Sequence, residues 1–197
     1  MDGLTPFVLA VLALLATPGP TNTLMAAAGA QRGVGRALPL LVGELGGYLI
    51  AITVWIELVG AIGASQPLVP LLARLLAAGF LAWSAFKLWR GAGQADLAQR
   101  GVTLSRVFVT TLINPKALVL AFAIFPHVGF VARLPYLGVF AGLVIGTAVA
   151  WMALGALAAR SSAGWLSAGR VERITALALA VFAALLLVQT VQGLVAS

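Results

Sequence analysis

The sequence predicts an all-α, polytopic membrane protein of six transmembrane helices, and three observations carry that expectation. Of 197 residues, 62% are hydrophobic and only 9% are charged, whereas soluble domains carry roughly 25% charged residues. Mean hydropathy is +1.09. The apolar residues gather in six segments separated by clusters of Arg, Gly and Pro, each close to the ~20 residues that a spanning helix requires. A water-soluble globule is therefore excluded. The lack of cysteine excludes disulfides, thiolate metal sites and dithiol redox chemistry. The net charge of +7 reads as basic cytoplasmic loops and not as a nucleic-acid surface.

The segments are about 4–30, 37–61, 68–89, 106–126, 135–159 and 172–194. None alternates strictly between apolar and polar residues, so each reads as a helix and not a barrel strand. The first opens on the apolar run Leu4 to Ala16, but Asp2 follows Met1 where a signal peptide would have a basic region, so it is expected to be retained. It is interrupted at Thr17, Pro18, Gly19, Pro20, Thr21, Asn22 and Thr23. The two prolines remove two backbone donors and free the carbonyls of Leu14 and Ala16. The second segment carries Glu44, the small-residue face Gly43, Gly46 and Gly47, and Glu57 toward its far end, where an interfacial or vestibule role is expected. Arg74, early in the third segment, is expected to snorkel outward.

The polar stretch 92–105 reads as a hinge between repeat A (about 1–91) and repeat B (about 106–197) of one transporter domain spanning 1–197. The fourth segment breaks at Asn114, Pro115 and Lys116. Asn114 is placed to cap, and Pro115 to open, a half-helix running to Phe125, and Pro115 frees the carbonyl of Thr111. The single histidine, His127, follows Pro126 at the end of this segment. In the fifth segment, Leu134, Pro135, Leu137 and Gly142 repeat the spacing of Leu38, Pro39, Leu41 and Gly46. Gly138, Gly142 and Gly146 form a second small-residue face, suited to helix packing or to a homodimer interface.

Basic residues set the orientation. Arg32 and Arg36, then Lys87, Arg90, Arg100 and Arg106, then Arg160, Arg170 and Arg173 fall on one side, with Arg74 and Arg133 on the other. Both termini are thus expected on the non-cytoplasmic face of an inner (plasma) membrane. Trp55, Trp83, Trp89, Tyr136 and Trp165 lie near segment ends, as interfacial belts require. Segments 1–3 and 4–6 then run in opposite senses, an inverted 3+3 repeat whose first helices, 1 and 4, are both broken. Paired breaks of this kind point to a transporter's binding site.

Two charges lie deep. At ~1.5 Å per residue, Glu44 sits roughly 12 Å in from Arg36 and Lys116 roughly 15 Å in from Arg106, both near the middle of the hydrocarbon layer. A midplane charge costs at least ~2.5–3.5 kcal/mol, so the two read as functional; the alternative, a structural Glu44–Lys116 ion pair, does not exclude function, because a pair that substrate or proton can break is a switch. His127 is a candidate proton relay or gate residue.

An enzyme is not expected: no Gly-x-Ser-x-Gly run is present, and one histidine without cysteines offers no metal or haem site, so neither metal nor cofactor is anticipated. The carbonyl filter or charge rings of a channel are not visible. A structural or small-solute channel-like membrane protein without coupled transport is the alternative to a secondary transporter.

At these same residues the chain resembles the lysine exporter (LysE/RhtB-type) family. Thr17, Pro18, Gly19 and Pro20, then Gly43 and Glu44, then Asn114, Pro115, Lys116 and Ala117, then Phe125 and Pro126 look like its signature. The likeness covers nearly the whole chain. Three positions depart from the pattern: Glu44 stands where Asp is more frequent, Thr21 separates Pro20 from Asn22, and His127 replaces Gln. The resemblance implies export of amino acids or their derivatives, driven by proton antiport. Combined with the residue reading, it makes Thr17, Pro18, Gly19, Pro20, Asn22, Glu44, Asn114, Pro115 and Lys116 the substrate-binding candidates. Glu44 and His127 are the proton-coupling candidates. The half-helix N-termini and Lys116 would take a carboxylate; Glu44 and the carbonyls of Ala16 and Thr111 would take an ammonium group.

Overall fold

The computed structural model describes residues 3–63, 66, 68–90, 101–160 and 168–195. Asp2, most of the expected hinge (92–100) with Arg100, Trp165 and the side chain of Arg170 lie outside the described residues. Those described are mostly helical, with helices α1 (Leu4–Ala16), α2 (Pro20–Ala37), α3 (Leu40–Gly63), α4 (Leu68–Trp89), α5 (Leu104–Leu112), α6 (Pro115–Val119), α7 (Phe130–Arg160) and α8 (Ala168–Val195). A π-helical turn, Leu120–Ile124, continues α6.

Helices α3, α4, α7 and α8 are each long and apolar enough to cross a membrane. The pair α1 and α2 passes the same test as one span bent by 64°, and α5 with α6 and its π turn passes as one bent by 45°. The faces turned outward are apolar: Leu76 is 73% and Val131 77% exposed. In water that surface would be untenable; in lipid it is the expected covering. The protein is a multi-pass membrane protein.

Several expected boundaries shift. Arg32 and Arg36 do not lie in a loop; α2 runs on to Ala37, and its ladder is interrupted at Gly33, whose φ of 75° and ψ of 163° are open to glycine. The fifth span begins at Phe130, not at 135, with Pro135 inside its early turns. Arg133 is consequently not a flanking loop residue but a helical one, 3% exposed. It tolerates that depth because it has a partner, described below. Arg74 lines a small cavity with His127.

Small residues decide which helices touch. A Cβ added to Gly29 would strike the Met152 carbonyl, and one added to Gly155 would strike the Ala26 carbonyl, so α2 and α7 cross with backbones in contact. Gly43 and Gly47 play the same part for α3 against α5, where a Cβ would come 2.8 Å from the Leu104 oxygen and 2.9 Å from that of Phe108. That face is thus consumed inside the molecule and is not free for a dimer. Gly138, Gly142 and Gly146 have nothing within 4 Å of an added Cβ. These close crossings press the broken first span against the broken fourth.

Candidate functional site: two helix breaks joined by a buried polar network

At the first break the chain supplies its own partners. Thr17 Oγ1 donates to the Leu14 carbonyl (2.6 Å), and Asn22 Nδ2 donates to the carbonyls of Leu15 (2.8 Å) and Thr17 (2.7 Å). Asn22 is 3% exposed, so one amide reaches back from α2 and closes the gap left by Pro18 and Pro20. At the second break Asn114 is the N-cap of α6: its Oδ1 accepts from the Lys116 backbone N–H (3.0 Å), with Pro115 in the first turn. The amide N–H of Asn114 takes the Thr111 carbonyl (3.1 Å). The Leu14 and Thr111 carbonyls thus each have one donor from the chain itself.

The two breaks then meet. Asn114 Nδ2 donates to Thr21 Oγ1 (3.0 Å) and to the Tyr48 hydroxyl (3.3 Å), while the Thr21 and Thr111 hydroxyls lie 3.2 Å apart. Lys116 Nζ donates to the Thr17 carbonyl. Its butyl chain lies along Gly19, where an added Cβ would come 3.1 Å from Cε and 3.3 Å from Nζ. That approach is the physical use of the glycine between the prolines. It also holds the ammonium group at the N-terminus of α2, where helix dipole and lysine present positive charge together.

Glu44 is buried on α3, one turn before Tyr48 and close enough to Lys116 for their charges to act on one another. The direct ion pair weighed from the sequence is not formed; Lys116 Nζ donates to the Thr17 carbonyl instead. Glu44 Oε2 is buried with no hydrogen-bond partner. A buried carboxyl oxygen without a donor is costly.

Thr17, Pro18, Gly19, Pro20, Asn22, Asn114, Pro115 and Lys116 thus converge, with Glu44 beside them. His127 does not join them: it is exposed, follows the π turn, and lies near Arg74 and Arg133. The π turn is closed by Phe125 N–H donating to the Leu120 carbonyl (2.8 Å). Phe125 packs edge-on against Phe7 (centroids 5.2 Å) and Phe140 (5.4 Å), and Phe140 against Tyr48 (5.9 Å). This aromatic column runs from the network toward the end of the bundle where α1 and α7 begin. Sequence reasoning missed Thr21, Thr111 and Tyr48 as network members. Tyr48 was readable in principle, four residues from Glu44 and hence on its face.

The profile of the LysE type translocator family matches residues 12–190, which include both breaks, Glu44 and Lys116. The chain belongs to the LysE type translocator family. It is accordingly a membrane transporter, from a family of translocators and not of enzymes. No curated protein and no solved structure matches the chain, so within this translocator the residue roles rest on its own geometry. Among the described residues, no cluster of His, Asp and Glu could hold a metal ion.

Proposed function

We propose that this translocator exports amino acids or their derivatives from the cytoplasm in exchange for protons. The observation that carries the reading is a cationic donor group beside an acceptor that has no hydrogen-bond partner. Lys116 and the N-terminus of α2 form a positive pole beside the buried, unpartnered Glu44 Oε2. An α-amino acid has the complementary poles. Its carboxylate would be taken by Lys116 and the first N–H groups of α2, and its ammonium group by Glu44. Asn22, Asn114, Pro18, Pro20 and Pro115 hold these groups without supplying charge.

Coupling follows from exclusion. Glu44 can hold a proton or an ammonium group but not both, so a proton arriving from outside would expel the amino acid and be released inward when the next one binds. His127 lies away from this exchange, toward the exit. The halves 1–91 and 106–197, as an inverted repeat, would rock to alternate access, with both termini outside an inner membrane. A homodimer would have to use a face such as Gly138, Gly142 and Gly146.

The test is a growth-inhibition panel of amino acids and analogues in a sensitive host, followed by proton-gradient-driven efflux from vesicles. Glu44→Gln should abolish the dependence of efflux on the gradient while exchange of bound amino acid persists. Wild-type efflux with unchanged pH dependence in Glu44→Gln would sink the coupling, and a panel with no relieved compound would sink the substrate class.

A further inference from the structure

A second pair of charges stands at the end of the bundle where α1 and α7 begin. Arg133, in the first turns of α7, donates through Nη1 to Glu57 Oε1 of α3 at 2.6 Å, and through Nη2 to the Val128 carbonyl at 2.6 Å. The two partners are unlike in setting. The Arg133 side chain is 4% exposed, whereas that of Glu57 is 54% exposed. Arg133 Nε is buried and has no partner, so the guanidinium fork is only partly used. Ile56, which precedes Glu57 in α3, helps line a cavity of about 70 Å³ together with Arg74 and His127. A water-sized group needs roughly 10–15 Å³ of such space, so a carboxylate fits. Arg74 and His127 share the wall of this cavity, which brings a guanidinium and an imidazole to one locus.

We propose that Arg133 and Glu57 form an exit-side amino-acid site, in which the leaving substrate's carboxylate displaces Glu57 from Arg133 and its ammonium group is taken by Glu57. Planar, bidentate capture of a carboxylate is what a guanidinium fork with a spare N–H offers, and Arg74 adds a second cation. The exchange conserves charge: one carboxylate replaces another at Arg133, and one cation replaces another at Glu57. A buried arginine is then never left bare, which would be expensive. The pair spans α3 and α7, from opposite halves of the chain, so its opening is also the opening of that end. The inference rests on the proposed amino-acid export and deepens it.

The experiment is exchange in right-side-out and inverted membrane vesicles, so that each face meets the added compound in turn. Vesicles are loaded with labelled L-leucine, L-threonine or L-lysine, and efflux is titrated with the same free amino acid or its methyl ester. Glu57→Gln removes the competing carboxylate. Because it also removes the ammonium group's partner, it should raise the half-saturation for the ester, which binds through that group alone, by about tenfold on one face, and change that for the free amino acid less. Arg133→Lys, which keeps the charge but loses the fork, should raise it for the free amino acid alone. Equal effects on acid and ester, or a change in maximal rate only, would reduce the pair to a mechanical latch and overturn the proposal. Wild-type exchange with no shift in either variant overturns it as well. No wild-type exchange of any amino acid overturns the export reading together with it.

Discussion

Asn22→Ala offers the most direct measurement of what holds the broken first helix together. One amide nitrogen serves the Leu15 and Thr17 carbonyls at 2.8 and 2.7 Å, and the site is 3% exposed. Truncation leaves both acceptors short of a donor, although Lys116 still reaches Thr17. An unsatisfied buried group costs about 1–3 kcal/mol, while hydrogen bonds within membrane proteins average only ~0.6 kcal/mol by double-mutant cycles. One stranded carbonyl and one half-served carbonyl therefore predict a loss of about 2–3 kcal/mol. The control is Thr147→Ala. Thr147 Oγ1 donates to the Leu143 carbonyl at 2.7 Å, a bond equally short, but one that supplements a carbonyl within the helical ladder of α7 and should cost under about 0.5 kcal/mol. Unfolding in mixed micelles, followed by circular dichroism against increasing SDS, compares them. If Asn22→Ala unfolds no more easily than Thr147→Ala, carbonyl satisfaction is not what stabilises the break, and the reasoning fails.

Other perturbations follow from the same geometry. Gly155→Ala sets a methyl group against the Ala26 carbonyl, and because backbone cannot rotate aside, it should destabilise the α2–α7 crossing by about 1–3 kcal/mol or more; a thermal midpoint equal to wild type would contradict it. Lys116→Met strands the Glu44 charge and should destabilise, whereas Lys116→Met with Glu44→Gln should recover stability while transport stays lost; a double variant no more stable than the single one would show that the two charges do not interact. Burial first, then Arg74 and Arg133, hold the His127 pKa below its usual value. The unfolded chain therefore binds the proton more readily, and stability present above the ordinary histidine range is lost as pH falls through it. His127→Gln should lose less stability than wild type between about pH 7 and pH 5, and parallel pH profiles would refute that.

Much of the site was legible because membrane chemistry makes polar residues conspicuous. Pro18, Pro20 and Pro115 announce breaks through the donors they lack, Asn114 announces a cap, and Glu44 and Lys116 announce themselves by depth. Less legible was everything that depends on which faces meet. Arg133 was counted as a loop residue because Pro135 obscured the start of α7; its depth becomes tolerable only beside Glu57, 76 residues away. Tyr48 and Thr111 read as ordinary span residues until α3 and α5 are brought together at Gly43 and Gly47.

Hydropathy and proline chemistry are local, so the chain by itself determined a polytopic helical membrane protein, the two interrupted spans and the residues at each interruption. Partner choice is not local. The tertiary structure decided that Lys116 serves the Thr17 carbonyl and not Glu44, that Asn114 ties Thr21 to Tyr48, and that one carboxylate oxygen is left without a donor. Those outcomes turn on approaches of a few ångströms between spans some 70 to 100 residues apart, which glycine-to-carbonyl contacts set and no spacing along the chain encodes.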